Sequence, residues 1–275
     1  HYLEDAVPEM RRYGRLVVRM MAALDPGLPP RPLRQGRRRV AVVSAHFREH
    51  TVARLFLPLF EGLDRERFEV HYLDLEPGAA EWQARLQAAG THHAGPRPAP
   101  QWRALLAALA PDLIVYPEIG MHPLHQGLAA LRLAPVQACL WGHPVTTGLP
   151  SIDFALVPDA LEPSDAADHY HEALARLPGL GHGLMPAPAR ALADAPEGLR
   201  RDESGSLEIL CAQAAFKLLP AQDAVFARIL RALPQARLHL TPLIGAEHIS
   251  ELRARMRPAF EGEGVDMDAR VLTHA

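Results

Sequence analysis

The sequence predicts an α/β protein with two Rossmann-like domains, the second of which is incomplete. Three observations lead to this fold class. Short apolar runs typical of buried strands alternate with amphipathic helices of about ten residues. Segment 179–205 is dominated by proline, alanine, glycine and charged residues, and the alternation begins again after it. The 275 residues suffice for one large or two ordinary domains, at ~100–200 residues each.

The first predicted element is a helix, because apolar positions recur at helical spacing between Tyr2 and Leu24, before "DPGLPPRP" ends it. Strands and helices then alternate, which predicts a mostly parallel sheet, since parallel neighbours require a crossover. Pro58 is expected to kink the next helix or to mark its first turn. The predicted strands are 38–44, 68–75, 112–116, 135–141 and 153–158, and the predicted helices are 52–63, 80–89, 102–110 and 121–133.

The second domain repeats the alternation on a smaller scale. Three strands are too few for a doubly wound sheet, so we expect this domain to be truncated at Ala275. Its predicted strands are 207–212, 236–240 and 269–273, and its predicted helices are 221–233 and 247–260. The predicted organisation is an N-terminal helix and linker (1–36), a first Rossmann-like domain (37–180), a linker (181–205) and a partial C-terminal Rossmann-like domain (206–275).

Composition excludes several classes of partner. The formal net charge is -3 and the pI is about 6.6, so the chain has no global positive field to attract nucleic acid or an anionic membrane. Neither a membrane-spanning run nor a secretory signal is visible. Cys139 and Cys211 both fall in predicted strands, where buried and reduced thiols are expected. These features predict a cytoplasmic protein, and His1 in place of Met predicts that the chain is cut from a longer one.

Four polar or glycine-bearing loops follow predicted strands. They are "SAHFREH" (44–50), "PEIGMHP" (117–123), "GHPVTTG" (142–148) and "AQAAFK" (212–217). In open α/β sheets, ligands bind beyond the carboxyl ends of the strands. We therefore expect the four loops to form one cleft.

The first two loops contain histidines and one glycine of interest. His46 and His50 are candidates in the first loop, although such histidines are often solvated or cap a helix. Gly120 would let a ligand approach the main chain. His122 and His125 have no third ligand at a suitable spacing, so no metal site is predicted. The pair 92–93 is expected to be exposed at the start of a proline-rich linker.

The third and fourth loops supply the remaining candidates. His143, Thr146 and Thr147 offer polar atoms to a ligand, although the same turn could be only a stiff connector. Lys217 follows a strand and precedes a helix start at Pro220, and a cation in front of helix amides suits a diphosphate. The glycine motifs of dinucleotide and P-loop sites and the G-x-S-x-G elbow are absent from the sequence. A sugar nucleotide fits such a two-domain cleft.

Several segments, in this order, resemble the catalytic region of the O-GlcNAc transferase (SPINDLY-like) family of glycosyltransferases. They are "RVAVVSAHFREHTVARLFLPLFEGLDRERFEVHYLDL", "LAPVQACLWGHPVTTGLPSIDFALV", "HYHEALARLPGL" and "FKLLPAQDAVFARILRALPQARLHL". "YPEIGMHPL" and "WGHPVTTG" are closer to the bacterial branch that includes the cytoplasmic protein N-glucosyltransferases. The resemblance spans roughly residues 38–240.

This resemblance implies a GT-B fold and inverting, metal-independent transfer of a sugar from UDP-GlcNAc or UDP-glucose to a protein side chain. It implies no cofactor besides the UDP-sugar substrate, and a protein or peptide acceptor. By position, His50 matches the family's active-site histidine and Lys217 matches the lysine that holds the diphosphate. "GHPVTTG" matches the "YPGTSG"-type loop that lines the cleft, and Gln213 lies in the strand-end segment before the lysine.

The chain also departs from the family's pattern. It stops before the "GGTT"-like segment, and no tetratricopeptide array precedes the catalytic part. An alternative prediction is therefore a catalytically inactive GT-B-like module that binds a nucleotide or a peptide. Another is a different GT-B enzyme that acts on a small glycan.

Overall fold

The computed structural model describes residues 6–25, 27, 32–183, 206–241 and 246–274. The chain divides into two compact units, residues 1–188 and residues 189–275. Each unit contains a parallel sheet with helices packed on it, so the predicted α/β class is confirmed. Most of the predicted linker, 181–205, lies outside the described residues.

The first unit is built around a seven-stranded sheet. Its helices are α1 (Val7–Met21), α2 (Thr51–Glu61), α3 (Ala80–Ala89), α4 (Ala99–Leu109) and α5 (Pro123–Ala129). Its strands are β1 (Arg38–Ser44), β2 (Phe68–Asp74), β3 (Thr91–Ala94), β4 (Leu113–Tyr116), β5 (Val136–Leu140), β6 (Phe154–Pro158) and β7 (Ala173–Leu177). Pro58 lies inside α2, so the first-turn alternative for this residue is wrong.

The strand order is β3-β2-β1-β4-β5-β6-β7, and every pair is parallel. Alternate residues of β1 enter different cores because side chains of a strand point to opposite faces. Val40 and Val42 pack with residues of α2 and α3, whereas Ala41 and Val43 pack with residues of α1, α4 and α5. The sheet is therefore covered by helices on both faces.

Two strands at the ends of this sheet were not predicted. β3 pairs with β2, and β7 pairs with β6. The prediction that the pair 92–93 is an exposed linker is wrong, because both residues lie in β3. The His92 side chain is only 3% exposed, and its Nε2 lies 3.2 Å from Oδ2 of the buried Asp74.

The second unit has a three-stranded parallel sheet in the order β10-β9-β8. Its elements are β8 (Leu207–Cys211), α6 (Pro220–Ala232), β9 (Ala236–Leu240), α7 (Ala246–Gly262), α8 (Met267–Arg270) and β10 (Val271–Thr273). Leu238 of β9 packs with Leu230 of α6 and with Met256 and Phe260 of α7. Cys139 is buried in β5 as predicted, but Cys211 at the end of β8 is only partly buried.

Candidate active site

The candidate site of the first unit lies where the strand order reverses. β2 is on one side of β1 and β4 is on the other, so the connections that follow β1 and β4 leave the sheet in opposite directions. A crevice forms at such a switch point, and ligands bind there in open α/β sheets. Loop 45–50 follows β1 and loop 117–122 follows β4, so two of the predicted loops border this crevice.

Glu118 joins these two loops. Its side chain is fully buried, and its Oε1 accepts hydrogen bonds from Ser44 Oγ at 2.8 Å and from the Ala45 amide at 2.9 Å. Oε1 also lies 3.3 Å from His46 Nδ1. Burial alone would raise the pKa of Glu118. This pKa is nevertheless below its ordinary value, because the charge of His125 and the hydrogen bonds from His46, Ala45 and Ser44 stabilise the carboxylate. Glu118 is therefore an anion that fixes the loop after β1.

His50 begins helix α2. Its Nδ1 accepts a hydrogen bond from the Val52 amide at 3.1 Å, so the helix-capping alternative describes it correctly. Because this bond uses the Nδ1 lone pair, the proton of the neutral ring is on Nε2. The neutral ring of His50 thus presents a hydrogen-bond donor at Nε2.

The protonation of His50 follows from its surroundings. The ring packs against His46, with centroids 4.4 Å apart. Burial lowers the pKa of His50, His46 and Arg48 lower it further, and Glu118 acts in the opposite direction. The ring is therefore neutral at pH 7, and a proton added to it at lower pH would disrupt the bond from Val52.

Gly120 and His143 meet on the second and third loops. Gly120 has φ +104°, a conformation that side chains other than glycine rarely adopt. A methyl group on Gly120 would lie 3.1 Å from Nδ1 of His143, so the imidazole packs against the bare main chain. Burial lowers the pKa of His143, and this ring is also neutral at pH 7.

Thr146 and Thr147 are buried and bind a carboxylate, Glu172. Thr146 Oγ1 donates to Glu172 Oε2 at 2.6 Å, and the hydroxyl and the amide of Thr147 both donate to Oε1. The two hydroxyls therefore hold the turn, which agrees with the stiff-connector alternative. A role for these threonines in binding substrate stays a prediction.

The wall formed by the third loop is closely packed. Trp141, His143, Thr146 and Tyr170 are among the residues that line a cavity of only about 10 Å³, which is room for about one water molecule. A sugar cannot enter the wall itself. Any ligand contact by this loop is made from its outer surface.

Helix α1 packs directly on the third loop. Gly14 and Gly148 are in contact through their main chains: a methyl group on Gly14 would lie 2.0 Å from the carbonyl oxygen of Gly148. Gly148 itself has φ +63°. The predicted N-terminal helix is therefore part of the packing of the first unit, and it fixes one side of this loop.

In the second unit, Gln213 and Lys217 lie beyond the carboxyl end of β8 and are exposed. Lys217 Nζ lies 5.8 Å from the centroid of the Phe216 ring. Lys217 is the only lysine among the 29 lysine and arginine residues of the sequence. Helix α6 begins three residues later, at Pro220. The structure therefore brings His50, Gly120 and His143 together at one sheet edge, and Lys217 with Gln213 at another.

Neither His122 nor His125 is arranged for metal binding. His122 Nε2 lies 3.0 Å from Glu76 Oε1, and His125 Nε2 lies 2.8 Å from the carbonyl oxygen of Val43. Within the described part of the chain, no three His, Cys, Asp or Glu side chains form a metal-binding group. Among the same residues, no helix is long and apolar enough to cross a bilayer.

No protein-family model matches the chain. The chain is 35% identical over 113 residues to a protein of Solanum lycopersicum named probable UDP-N-acetylglucosamine–peptide N-acetylglucosaminyltransferase SPINDLY. The alignment covers 41% of this chain and 12% of that protein. Over this segment the chain is similar to proteins named SPINDLY. The likewise named protein of Arabidopsis thaliana is 33% identical over 112 residues, again 41% of this chain and 12% of the relative.

The fold agrees with that of a bacterial O-GlcNAc transferase. A mutant of the enzyme from Thermobaculum terrenum matches with a TM-score of 0.72 over 97% of this chain and 51% of the other, at 23% identity. The predicted GT-B-like fold and the resemblance to O-GlcNAc transferases are thereby confirmed. The chain spans about 12% of the length of the SPINDLY relatives and about half of the bacterial chain.

Two buried carboxylates that hold the loops of the candidate site were not predicted from the sequence. Glu118 lies within the loop "PEIGMHP", and Glu172 lies within the segment "HYHEALARLPGL". A carboxylate directly after a buried strand was the available signal for Glu118. Glu172 gave no such signal, because its partners lie 25 and 26 residues away in the sequence.

Proposed function

We propose that this chain is part of a glycosyltransferase that transfers a sugar from UDP-GlcNAc or UDP-glucose to a protein side chain. The observation that carries the proposal is the homology over 113 residues to proteins named as UDP-N-acetylglucosamine–peptide N-acetylglucosaminyltransferases. Inversion at the anomeric carbon and independence from metal are part of the proposal. So is a cytoplasmic location, which two unpaired cysteines support.

In the first unit, His50 is proposed to bind an oxygen of the sugar or the acceptor. Its Nε2–H donates, and its Nδ1 is already bound to the Val52 amide. In this state the lone pair of the neutral ring is engaged by the Val52 amide, so the ring can accept a proton only by giving up that bond. We therefore assign His50 to hydrogen bonding and not to general-base catalysis.

In the second unit, Lys217 is proposed to hold the diphosphate. When UDP leaves the anomeric carbon, the C–O bond breaks and its electron pair stays on the β-phosphate oxygen. The ammonium of Lys217 and the positive end of the α6 helix dipole would neutralise this charge. Asp223 in the first turn of α6 does not oppose this, because Arg255 binds both its oxygens at 2.9 and 3.1 Å.

The uniqueness of Lys217 permits a direct binding test. An amine-reactive reagent modifies only this side chain and the N-terminal amine. Mass spectrometry distinguishes the two modified sites, so the rate of modification of Lys217 can be measured by itself. UDP at ten times its dissociation constant is expected to slow modification about tenfold, whereas uridine alone gives little protection. Equal rates with and without UDP would contradict the assignment of Lys217.

Catalysis is tested with Lys217→Ala in the full-length protein, using labelled UDP-GlcNAc or UDP-glucose and a cell lysate. The rate of protein labelling is expected to fall on the order of 10²–10³-fold, because one donor to the leaving group is lost. Arg228→Ala, which removes an exposed cation from α6 of the same unit, is the matched control and should retain full activity.

Near-normal transfer by Lys217→Ala would refute the assignment. Protection of Lys217 by UDP without any transfer would instead favour the inactive binding module. Labelled glycan in place of labelled protein, identified by mass spectrometry, would favour a small-glycan enzyme.

A further inference from the structure

Helix α1 presents a ridge of arginines to solvent. Arg12, Arg15 and Arg19 recur at intervals of three and four residues and are exposed on one face of the helix. The opposite face, with the buried Gly14 and Val17, packs on the first unit. The three arginine side chains therefore leave α1 on the same solvent-facing side.

The charge of this ridge is not neutralised within the described part of the chain. None of the three guanidinium groups forms an ion pair or a hydrogen bond there, and the only acidic residue in the first turn is Glu9. Several other arginines are paired: Arg132 binds Asp153 at 2.7 Å, for example. Among the described residues, the three cations on α1 have no carboxylate partner.

The ridge borders a groove and is not a flat surface. Arg12, Arg15 and Arg19 line a concavity of about 380 Å³ together with Val18 and Pro150. Val18 and Pro150 supply apolar surface against which the aliphatic part of a ligand side chain can pack. Guanidinium groups around such a floor match carboxylates, which they bind in a bidentate manner. We call this groove the arginine groove.

The arginine groove adjoins the third loop of the candidate site. Pro150 lies two residues after the end of this loop, and α1 contacts the same loop through Gly14 and Gly148. A segment bound in the groove would therefore pass the C-terminal end of the third loop. This position suits part of an acceptor chain whose modified side chain lies some residues away.

We propose that the arginine groove binds an acidic segment of the acceptor protein and so selects acceptors with Asp or Glu near the modified side chain. This inference rests on the proposed function. A concave groove with three charges suits a peptide better than a bilayer. The formal net charge of -3 for the chain also disfavours long-range attraction of a nucleic acid.

Binding is tested on the chain without any sugar donor. Fluorescence anisotropy follows a fluorescein-labelled peptide of twelve residues that contains Glu, Asp and Leu. Replacement of the three arginines together by Glu is expected to weaken binding about tenfold or more, because three charge contacts become repulsive. Added salt should weaken the wild-type complex. A triple Gln variant, which has neutral side chains, should give an intermediate affinity.

The control is a second triple variant with the same change in net charge. Arg37, Arg67 and Arg228 are exposed and lie outside the groove, and their joint replacement by Glu should alter peptide affinity less than twofold. Equal losses in the two triple variants would overturn the inference, because they would show a nonspecific charge effect. The inference would also be overturned if phosphatidylserine vesicles or a dT12 oligonucleotide bound the groove as tightly as the peptide does.

Transfer by the full-length protein separates this inference from the proposed function. The Glu variant of the groove should lose about tenfold in kcat/KM for an acidic-flanked acceptor and retain its kcat/KM for a neutral one. Equal use of both acceptors by the wild type would refute the inference while leaving the proposed function intact. Peptide binding that depends on the groove, in a protein without transferase activity, would refute only the proposed function.

Discussion

Glu118 and His50 show how single residues set the chemistry of the first unit. Glu118 accepts hydrogen bonds from the loop that precedes His50, and His46 lies between the two, bound to the carboxylate and packed on the imidazole. The carboxylate also opposes the effects that lower the pKa of His50. Glu118 is therefore a positioning residue that acts through His46 and the loop.

Glu118→Gln is expected to lower the pKa of His50 further, because the substitution removes the negative charge that raises it. NMR titration of the His50 ring protons measures this shift. The variant should also lose roughly tenfold in kcat, with little change in KM for the donor. The reason is that displacement of His50 weakens a hydrogen bond that stabilises the transition state more than the bound substrate. The isosteric amide keeps the shape of the buried side chain.

Glu76→Gln is the matched control for this experiment. Glu76 lies at the same sheet edge and binds Arg48 and His122, but it is half exposed and can act on His50 only through Arg48. Its variant should therefore shift the His50 titration less than Glu118→Gln does. An unchanged His50 titration in Glu118→Gln would show that the carboxylate is only structural.

The sequence located His50 and Lys217 correctly at strand ends, because a polar loop after an apolar run is a local signal. It did not indicate what each side chain contacts. From the sequence, the hydroxyls of Thr146 and Thr147 were expected to be available to a ligand, yet both donate to Glu172. Contacts between residues far apart in the chain depend on packing, which a local pattern does not record.

Among the secondary-structure elements, α1 packs with its main chain against a loop. Its main chain contacts the main chain of the third loop at Gly14 and Gly148, where neither position has room for a side chain. The loop is thus held by α1 on one side and by Glu172 on the other. Displacement of α1 would therefore move the loop that carries His143.

Gly14→Ala is expected to destabilise the protein by about 1–3 kcal/mol, because the new methyl group would overlap a main-chain oxygen. In an unpacked helix the same change would stabilise by about 1 kcal/mol, since alanine is the better helix former. The sign of the change in unfolding free energy, measured in urea, therefore reports whether α1 is docked.

Gly127→Ala in α5 provides the comparison. A methyl group there would meet only the end of the flexible Met21 side chain, at 3.3 Å. Its effect on the free energy of unfolding should be small. A stabilising effect of Gly14→Ala equal to that at Gly127 would contradict the packing of α1.

Most central elements were predicted, and the two missed strands lie at the ends of the seven-stranded sheet. β3 has the sequence "THHA", and none of the five residues of β7 is fully buried. Central strands of a parallel sheet are apolar because helices cover both faces, whereas end strands are short and more polar. These segments are strands because they pair with β2 and β6, and no local sequence pattern indicates that pairing.

At the scale of the whole molecule, the two units differ in how well their sheets are covered. Five of the seven residues of β1 are buried, whereas no residue of β8 is fully buried. Leu210 of β8 is 63% exposed. The first unit therefore has the larger share of the apolar burial that opposes local opening.

Hydrogen exchange measured by mass spectrometry should show this difference. Amides in the peptide that covers β1 are expected to exchange at least about tenfold more slowly than those in the peptide that covers β8. β9, which lies between β8 and β10 in the sheet, should fall between them and serves as the internal reference. Faster exchange in β1 than in β8 would contradict this expectation.

The hydrogen bonds from Thr146 and Thr147 to Glu172 restrict how this protein can be engineered. A turn from another protein grafted onto 142–148 would leave a buried carboxylate without donors, unless the residue at 172 were exchanged with it. In directed-evolution libraries, 146, 147 and 172 should therefore be randomised jointly. A library that samples the turn alone would consist largely of unstable clones.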